Sequence, residues 1–229
     1  MPDLPLAHAI REPLSGNRAN APALVLLHGL RSNEQDLLSL APALDPRLLV
    51  ISVRAPLTLG PSAYAWYPVR FVPGGDFAVD MDVARRNLDV LLAYFRALPE
   101  ALGFNPKKLY AGGFSQGSIM TLAAALEHPE LFAGIICMSG RMPPIVGERD
   151  QAPPERMQGL PVMALHGTFD NVIDIAFGYE VRERLSRLPV ALTWREYAMG
   201  HYVNAESLGD VRDWLARLLD SQEDWRERK

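Results

Sequence analysis

The sequence predicts one α/β domain over residues 1–229, built on a mostly parallel sheet with helices on both faces. Short, continuously apolar segments alternate with segments of helical periodicity along the chain. Such apolar runs are typical of strands that are buried on both faces of a parallel sheet. No internal repeat and no linker-like composition divides the chain. Because 48% of the 229 residues are hydrophobic, the sequence can also supply one sizeable core.

The first part of the chain supplies an edge strand, two buried strands and a helix. Residues 7–11 are a short edge-strand candidate, and the apolar runs at Ala23–Leu27 and 48–53 are predicted to be buried strands. Residues 33–43 are predicted to be a helix, with Ser32 or Asn33 placed to cap its N-terminus. Pro56, three residues beyond the second predicted buried strand, prevents that strand from continuing.

A long irregular segment separates these elements from the next helix. Residues 57–79 contain several prolines and glycines, and a segment of that length in a compact domain is usually functional. Residues 81–101 then repeat apolar side chains at helical spacing until Asn105 and Pro106 end the pattern. A further apolar strand is predicted to begin at Leu109.

The remaining elements continue the alternation of strand and helix. They are, in chain order, a helix over 118–127, a strand over 131–138, a Pro-rich loop over 141–161, a strand over 162–165, an amphipathic helix over 175–188, a strand over 192–197 and a closing helix over 204–219. The charged tail, residues 220–229, is expected to be frayed.

The pentapeptide Gly113-Phe114-Ser115-Gln116-Gly117 lies between a predicted strand and a predicted helix. In that context Gly-x-Ser-x-Gly forms a nucleophile elbow, a strained turn that holds the serine hydroxyl clear of the backbone. Small residues on both sides let strand and helix approach without clashing. Ser115 is therefore the candidate nucleophile. The alternative is a glycine-rich turn that carries a solvated serine.

A serine nucleophile needs a base, and the chain has five histidines. His201 lies in a predicted loop between the last strand and the closing helix, where its ring can turn toward Ser115. His28 and His166 each precede a glycine at a predicted strand end. They remain alternatives, although a ring in such a position more often packs or bonds to loop backbone. His201 is the favoured base.

The base in turn needs an acid that fixes its tautomer. Asp170 ends a predicted strand and lies between Ser115 and His201 in the sequence. The order Ser…Asp…His is that of α/β-hydrolases. Asp174 is the reserve candidate, and the other reading of Asp170 is a carboxylate that caps a turn or a helix. Weaker candidates for the acid are Asp150, Glu196 and Asp210.

Acyl transfer by a serine also needs backbone N–H donors for the developing oxyanion. Gln116 follows the candidate nucleophile directly and opens a predicted helix, so its N–H is one candidate donor. The second donor is expected in the loop after the first buried strand. There Leu30 is the first candidate and Arg31 the next.

Four motifs occur in a fixed order along the chain: Leu27-His28-Gly29-Leu30, Gly113-Phe114-Ser115-Gln116-Gly117, His166-Gly167-Thr168-Phe169-Asp170 and Gly200-His201. With these motifs the chain resembles the phospholipase/carboxylesterase family, which includes acyl-protein thioesterases and small bacterial carboxylesterases. The resemblance covers residues 23–219. It implies an α/β-hydrolase fold, hydrolysis of esters or thioesters without a cofactor, and often a homodimer.

The resemblance carries the catalytic triad onto Ser115, Asp170 and His201, and the oxyanion hole onto the backbone of Leu30 and Gln116. One departure is visible, because many members of the family have a second glycine where this chain has Arg31. That difference leaves the conformation of the loop at 28–33 open. Arg31 is either a cation near the mouth of the site or a solvated side chain.

Apolar side chains near these positions are candidates for an acyl-binding slot, and the alternative is that they pack loops onto the core. The candidates are Trp66, Tyr67, Phe71, Val172, Ile173 and Tyr202. Short- to medium-chain carboxyl esters are the expected substrates, and acyl-protein thioesterase or lysophospholipase activity is the alternative. Whether residues 57–79 form a mobile lid is left open.

Three further classes remain as alternatives. A dienelactone-hydrolase-like enzyme usually carries cysteine at the elbow, where this chain has Ser115. A peptidase or acyltransferase on the same fold would differ in its products. A non-catalytic binding module typically lacks one member of the triad, whereas all three residue types are present here.

Composition excludes several other roles. The net charge is −4 and no long basic stretch occurs, so nucleic acid is not an expected partner. No run of about 18 apolar residues predicts a membrane span, and no signal peptide is evident, so a cytoplasmic location is expected. The single cysteine, Cys137, is expected to be buried. No His/Cys spacing predicts a metal site, and no cofactor is expected.

Overall fold

A seven-stranded sheet runs through the molecule. The structure is a computed structural model that describes residues 3–71, 77–147, 150–221 and 224–227. Its strands are β1 (His8–Arg11), β2 (Ala23–Leu27), β3 (Leu49–Val53), β4 (Leu57–Gly60), β5 (Ala63–Ala65), β6 (Val69–Phe71), β7 (Phe77–Val79), β8 (Leu109–Phe114), β9 (Gly134–Met138), β10 (Pro161–Gly167) and β11 (Ala191–Tyr197). Its α-helices are α1 (Glu34–Leu38), α2 (Met81–Leu102), α3 (Gln116–Glu127), α4 (Ile175–Ser186) and α5 (Ala205–Ser221).

The strand order of the main sheet is β1-β3-β2-β8-β9-β10-β11. All neighbouring pairs are parallel except β1 with β3, which is antiparallel at one edge. The predicted α/β-hydrolase fold with a mostly parallel sheet is therefore confirmed. Because parallel strands all end on the same side, residues that follow β2, β8, β9, β10 and β11 gather along one edge of the sheet.

The central strands are buried because helices cover both faces of the sheet. Along β2, Val25 and Leu27 belong to the hydrophobic cluster that includes residues of α2, α3 and α4, whereas Leu24 and Leu26 belong to the cluster that includes residues of α1 and α5. This alternation is what period-2 side chains require of a strand between two helical layers. Cys137 on β9 is buried in the first of these clusters, as predicted.

Helix boundaries follow local capping. The Asp80 side chain accepts a hydrogen bond from the N–H of Val83 at the start of α2, and Gly103 ends that helix at φ +74°. Asn33, rather than Ser32, caps α1. The predicted helix over 33–43 is interrupted, because α1 ends at Leu38 and a 3-10 turn covers Ala41–Ala43. Pro42 lies in that turn and cannot continue an α-helix.

Two sequence-based expectations differ from the structure. The irregular segment expected at 57–79 contains two antiparallel hairpins, β4–β5 and β6–β7, and residues 72–76 lie outside the described part. The tail expected to be frayed continues α5 as far as Ser221. Farther along this tail, Trp225 is buried and its indole N–H donates to the carbonyl oxygen of Phe132 at 2.9 Å. Burial of that large aromatic side chain stabilises a segment that charge alone would leave in solvent.

Within the described residues, no helix combines the length and the apolar character that crossing a membrane requires.

Candidate active site

Ser115 occupies a strained turn between β8 and α3. Its backbone angles are φ +55° and ψ −120°, a region that non-glycine residues rarely adopt. Its N–H donates to the carbonyl oxygen of Met138 on β9 at 2.9 Å, which ties the turn to the neighbouring strand. The serine side chain does not cap α3. Its hydroxyl is therefore available for partners outside the helix.

Glycines make this turn possible because strand and helix come into backbone contact. A Cβ atom at Gly113 would lie 2.3 Å from the carbonyl oxygen of Gly117. One at Gly117 would lie 2.0 Å from the carbonyl oxygen of Leu27. These distances are far below any van der Waals contact, so any side chain at either position would force α3 away from the sheet.

Ser115, His201 and Asp170 form one hydrogen-bonded line. The Ser115 Oγ lies 2.9 Å from His201 Nε2, and His201 Nδ1 lies 2.7 Å from Asp170 Oδ2. Because a carboxylate accepts, Nδ1 carries the proton, and Nε2 is left to accept from the serine hydroxyl. The structure thus brings together the three residues that the sequence predicts, from the ends of β8, β10 and β11.

Asp170 is held in place by the turn that follows it. The carboxyl group is buried, and its Oδ1 atom accepts the backbone N–H groups of Val172 and Ile173, both at 2.9 Å. Those bonds leave Oδ2 directed at His201. The reserve candidate, Asp174, instead caps α4 by accepting the N–H of Ala176 at 2.8 Å.

The two other histidines at strand ends have backbone partners. His28 Nδ1 lies 2.7 Å from the carbonyl oxygen of Gly29 and donates to it, while Nε2 accepts the N–H of Ala55 at 3.1 Å. His166 Nε2 lies 2.7 Å from the carbonyl oxygen of Ile173 and donates to it. Burial lowers the pKa of both rings, which favours their neutral forms. Both therefore have structural roles in their loops.

Backbone geometry separates the candidate oxyanion donors. Gln116 opens α3, and neither its N–H nor that of Leu30 donates to a backbone acceptor within the described ranges. The N–H of Arg31 donates to the carbonyl oxygen of Tyr64 at 2.8 Å and is therefore occupied. Arg31 has φ +67°, a left-handed conformation that glycine adopts more readily than other residues. The geometry favours Leu30 over Arg31.

A cavity of about 350 Å³ opens beside Ser115 and His201. Its other lining residues are Leu30, Tyr67, Val69, Val79, Met81, Gln116, Ile119, Arg141, Pro144, Val172 and Ile173. Three of the residues predicted to form an acyl slot, Tyr67, Val172 and Ile173, lie in this wall. The walls are mostly apolar, and the volume is in the range of small-molecule sites.

Two predicted pocket residues do not line this cavity. The Trp66 side chain is fully buried, and its indole N–H donates to the carbonyl oxygen of His28 at 2.9 Å. Tyr202 is 54% exposed on the surface. The side chain of Phe71 lies outside the described part of the structure. An aromatic side chain in a functional segment can face either the core or the site, and the sequence does not distinguish the two.

Sequence reasoning missed part of the cavity wall. The residues that it did not name are Val69, Val79, Met81, Ile119 and Arg141. They come from a hairpin, two helices and a loop, so no periodicity groups them. Of these residues, Ile119 alone could have been proposed from the sequence, because it lies one helical turn after Ser115 on α3. Pro144, from the loop that the sequence predicts over 141–161, also lines the cavity.

A larger cleft, of about 910 Å³, lies at the opposite end of the sheet. It is lined by residues that precede the strands, such as Pro22 and Asn105, and by the tail around Trp225. None of its lining residues belongs to the Ser115–His201–Asp170 line. Size alone therefore does not identify the site, and the chemistry favours the smaller cavity.

Other nucleophile and metal chemistry finds no support among the described residues. Burial raises the pKa of the Cys137 thiol to about 12, so the thiol stays protonated. No group of three or more His, Cys, Asp or Glu side chains is arranged to hold a metal ion within the described ranges.

Comparisons with known proteins identify the family to which this chain is similar. The sequence model of the phospholipase/carboxylesterase family matches residues 8–219. Acyl-protein thioesterase 1 of Kluyveromyces lactis is 26% identical over 164 residues, which are 70% of this chain and 71% of that protein. Carboxylesterase SOBER1 of Arabidopsis thaliana is 29% identical over 120 residues, 52% of each chain. The crystal structure of esterase PE8 superposes with a TM-score of 0.77 at 25% identity, covering 93% of this chain and 99% of that one.

Proposed function

Because this chain belongs to the phospholipase/carboxylesterase family and is a carboxylic ester hydrolase, we propose that Ser115, His201 and Asp170 cleave short- to medium-chain carboxyl esters. The observation that carries this proposal is the line of hydrogen bonds, 2.9 Å from Ser115 to His201 and 2.7 Å from His201 to Asp170. A neutral serine hydroxyl is a weak nucleophile, and such a line supplies both the base and its orienting acid.

The proposed reaction has two steps. His201 Nε2 takes the hydroxyl proton as Ser115 Oγ attacks the acyl carbon, and the N–H groups of Gln116 and Leu30 bind the oxyanion. The tetrahedral intermediate collapses, the C–O bond to the alcohol breaks, and the alcohol leaves with the proton from His201. Water then attacks the acyl-enzyme, again with His201 as base, and releases the acid. Asp170 remains ionised and stabilises the imidazolium in both steps.

The cavity supports an uncharged, apolar acyl group of limited length. Its walls near Ser115 consist mainly of aliphatic and aromatic side chains. Met81 and Val172 line it and are 42% and 49% exposed, so the cavity opens to solvent beside the nucleophile. Apolar walls favour burial of methylene groups at about 0.8 kcal/mol each. An alcohol group that leaves toward solvent needs no pocket of its own.

Thioester hydrolysis is the second candidate, because the relative from K. lactis is an acyl-protein thioesterase. The same acyl-enzyme forms from a thioester, and only the leaving group differs. The two preferences can be separated by comparing the rates at which the protein hydrolyses octanoyl esters of small alcohols and octanoyl thioesters of small thiols, at equal concentration.

Two further properties stay predictions: a homodimer, which the resemblance implies, and a cytoplasmic location. Light scattering of the purified chain checks the first of them.

A labelling experiment tests the proposed function. A fluorophosphonate probe should modify wild-type protein at Ser115 and should not modify Ser115→Ala. Ser139→Ala is a matched control, because Ser139 is another buried serine at positive φ, and its hydroxyl has no partner within the described part of the chain. We expect Ser139→Ala to be labelled and to hydrolyse p-nitrophenyl esters as wild type does. Full ester hydrolysis by folded Ser115→Ala would contradict the proposal.

A series of p-nitrophenyl esters of increasing acyl length then tests the proposed substrate range. We expect kcat/KM to peak at short to medium chains, because the cavity wall is apolar and of limited volume. A steady increase up to long-chain esters would instead favour the acyl-protein thioesterase or lysophospholipase alternative.

A further inference from the structure

The backbone that joins the two hairpins is irregular and buried. β5 ends at Ala65 and β6 begins at Val69, and the residues between them include Trp66 and Tyr67, both with buried side chains. A buried backbone outside a helix or sheet still has N–H and C=O groups that must find partners. Among the described residues, the partners of these groups come from outside the two hairpins.

Two side chains from the helices supply them. The Gln116 side chain accepts the N–H of Trp66 at its Oε1 atom, at 2.7 Å, and donates from Nε2 to the carbonyl oxygen of Tyr67, at 2.8 Å. Asn87 on α2 donates from Nδ2 to the carbonyl oxygen of Trp66, at 2.7 Å. Three backbone groups of the Trp66–Tyr67 dipeptide are thus bonded to two amide side chains. Neither of these side-chain amides has a role in the proposed catalytic steps.

One residue of the dipeptide held in this way, Tyr67, forms part of the cavity wall, whereas Trp66 is buried behind it. Tyr67 lines the cavity together with Ser115 and Gln116, and the indole N–H of Trp66 donates to the carbonyl oxygen of His28 at 2.9 Å. Gln116 directly follows the nucleophile. Its amide group therefore sets the distance between the Tyr67 wall and the serine.

From this arrangement we infer that the side chains of Gln116 and Asn87 determine acyl-chain selectivity by holding the backbone of Trp66 and Tyr67, and with it the Tyr67 side of the cavity, against α3. The inference rests on the proposed ester hydrolysis and names the residues that shape its acyl site. An acetyl group needs only the space at Ser115. A longer acyl chain extends along the cavity wall, so its binding depends on where Tyr67 is held.

Gln116 and Asn87 are positioning residues in this scheme. The backbone N–H of Gln116 is a proposed oxyanion donor, whereas its side chain binds the wall. Asn87 separates the two roles, because it lies on α2, does not line the cavity, and donates to the carbonyl oxygen of Trp66 rather than to the oxyanion donors. Loss of the Asn87 amide should therefore change acyl selectivity without touching the oxyanion donors.

The test compares Asn87→Leu and Gln116→Met with wild type on p-nitrophenyl acetate and p-nitrophenyl octanoate. We expect the octanoate-to-acetate ratio of kcat/KM to fall roughly tenfold in both variants, mainly through a higher KM for octanoate. Gln35→Met is the control for Gln116→Met, because it is the same substitution at an exposed position on α1 that does not line the cavity. Its ratio should equal that of wild type.

Two results would overturn the inference: an unchanged ratio in folded variants, or an equal loss on both esters with no change in KM. Thermal melts followed by circular dichroism establish that each variant is folded. If Gln116→Met fails to fold, Asn87→Leu and the smaller change Asn87→Ala decide the outcome, since Asn87 is only half-buried. Wild-type protein that cleaves neither ester would instead contradict the proposed function itself.

Discussion

The backbone N–H of Arg31 donates a hydrogen bond of 2.8 Å to the carbonyl oxygen of Tyr64 on β5. In return, the N–H of Tyr64 donates to the carbonyl oxygen of Ser32 at 2.9 Å, and the Asn33 side chain donates to the carbonyl oxygen of Ser62. The hairpin β4–β5 is therefore bonded to the loop at 28–33 that holds the candidate oxyanion donor Leu30. This contact makes the hairpin a support for that loop.

Arg31→Gly should leave both stability and activity close to wild type. A non-glycine residue at φ +67° destabilises the folded state by about 1 kcal/mol, and glycine would remove that strain. Glycine also raises the conformational entropy of the unfolded chain, which offsets the gain by roughly the same amount. Arg31→Val should destabilise by about 2 kcal/mol, because a β-branched residue is poorly tolerated there. Urea unfolding measures both changes. A severe loss of esterase activity in Arg31→Gly would show that the side chain itself acts at the site.

Asp170→Asn should lower kcat/KM by about 10³- to 10⁴-fold, because the amide no longer selects the His201 tautomer that accepts from Ser115. Asp174→Asn is the matched control, since Asn caps a helix as well as Asp does, and α4 should keep its start. Steady-state kinetics on one p-nitrophenyl ester compares the two. Equal losses in both variants would argue against Asp170 as the orienting acid.

Gly117→Ala should destabilise the protein by about 3 kcal/mol or more, because its Cβ atom would meet the carbonyl oxygen of Leu27 at 2.0 Å. Gly209→Ala on α5 has open space around the new methyl group and should stabilise by about 0.5–1 kcal/mol. Thermal unfolding of both variants measures the difference. A fully stable Gly117→Ala would mean that α3 can move away from β2 at little cost.

Stability should fall as the pH is lowered from 7.5 to 5.5. Burial lowers the pKa of His28 and His166 below the ordinary 6.5, so the unfolded chain takes up these protons first. Stability is then complete above pH 6.5 and decreases as the pH falls toward the folded pKa values. Glu34 and Asp45 also have lowered pKa values, but their effect begins only below the ordinary carboxyl values of 4.5 and 3.8.

Melting temperatures across this pH range check the prediction. His28→Gln should reduce the slope of stability against pH, although it also lowers stability at every pH. His128→Gln serves as the control, because this histidine is partly exposed beside Glu130 at the far end of α3. A wild-type melting temperature that stays constant from pH 7.5 to 5.5 would be inconsistent with two buried neutral histidines.

Local sequence signals predicted the long elements well. Helix α2 begins at Met81 as expected and ends at Leu102, one residue later than expected, since Asp80 and Gly103 are strong capping signals. The hairpins within 57–79 were missed because strands of three or four residues are too short to show periodicity. The first helix was predicted too long, because its helical pattern outweighed the proline that follows it.

The fold class, the elbow motif and the order Ser115…Asp170…His201 can all be read from the amino-acid sequence. Each of these depends on contiguous residues or on the rule that parallel strands end at one edge. Three other features depend on the tertiary structure. It places the His201 ring against Ser115, and it bonds the N–H of Arg31 to Tyr64, so that this N–H is not available to an oxyanion. It also buries Trp66 in the core while Tyr67 lines the cavity. Those outcomes depend on contacts such as Gln116 to Trp66, between residues 50 positions apart in the chain. No local pattern encodes such contacts.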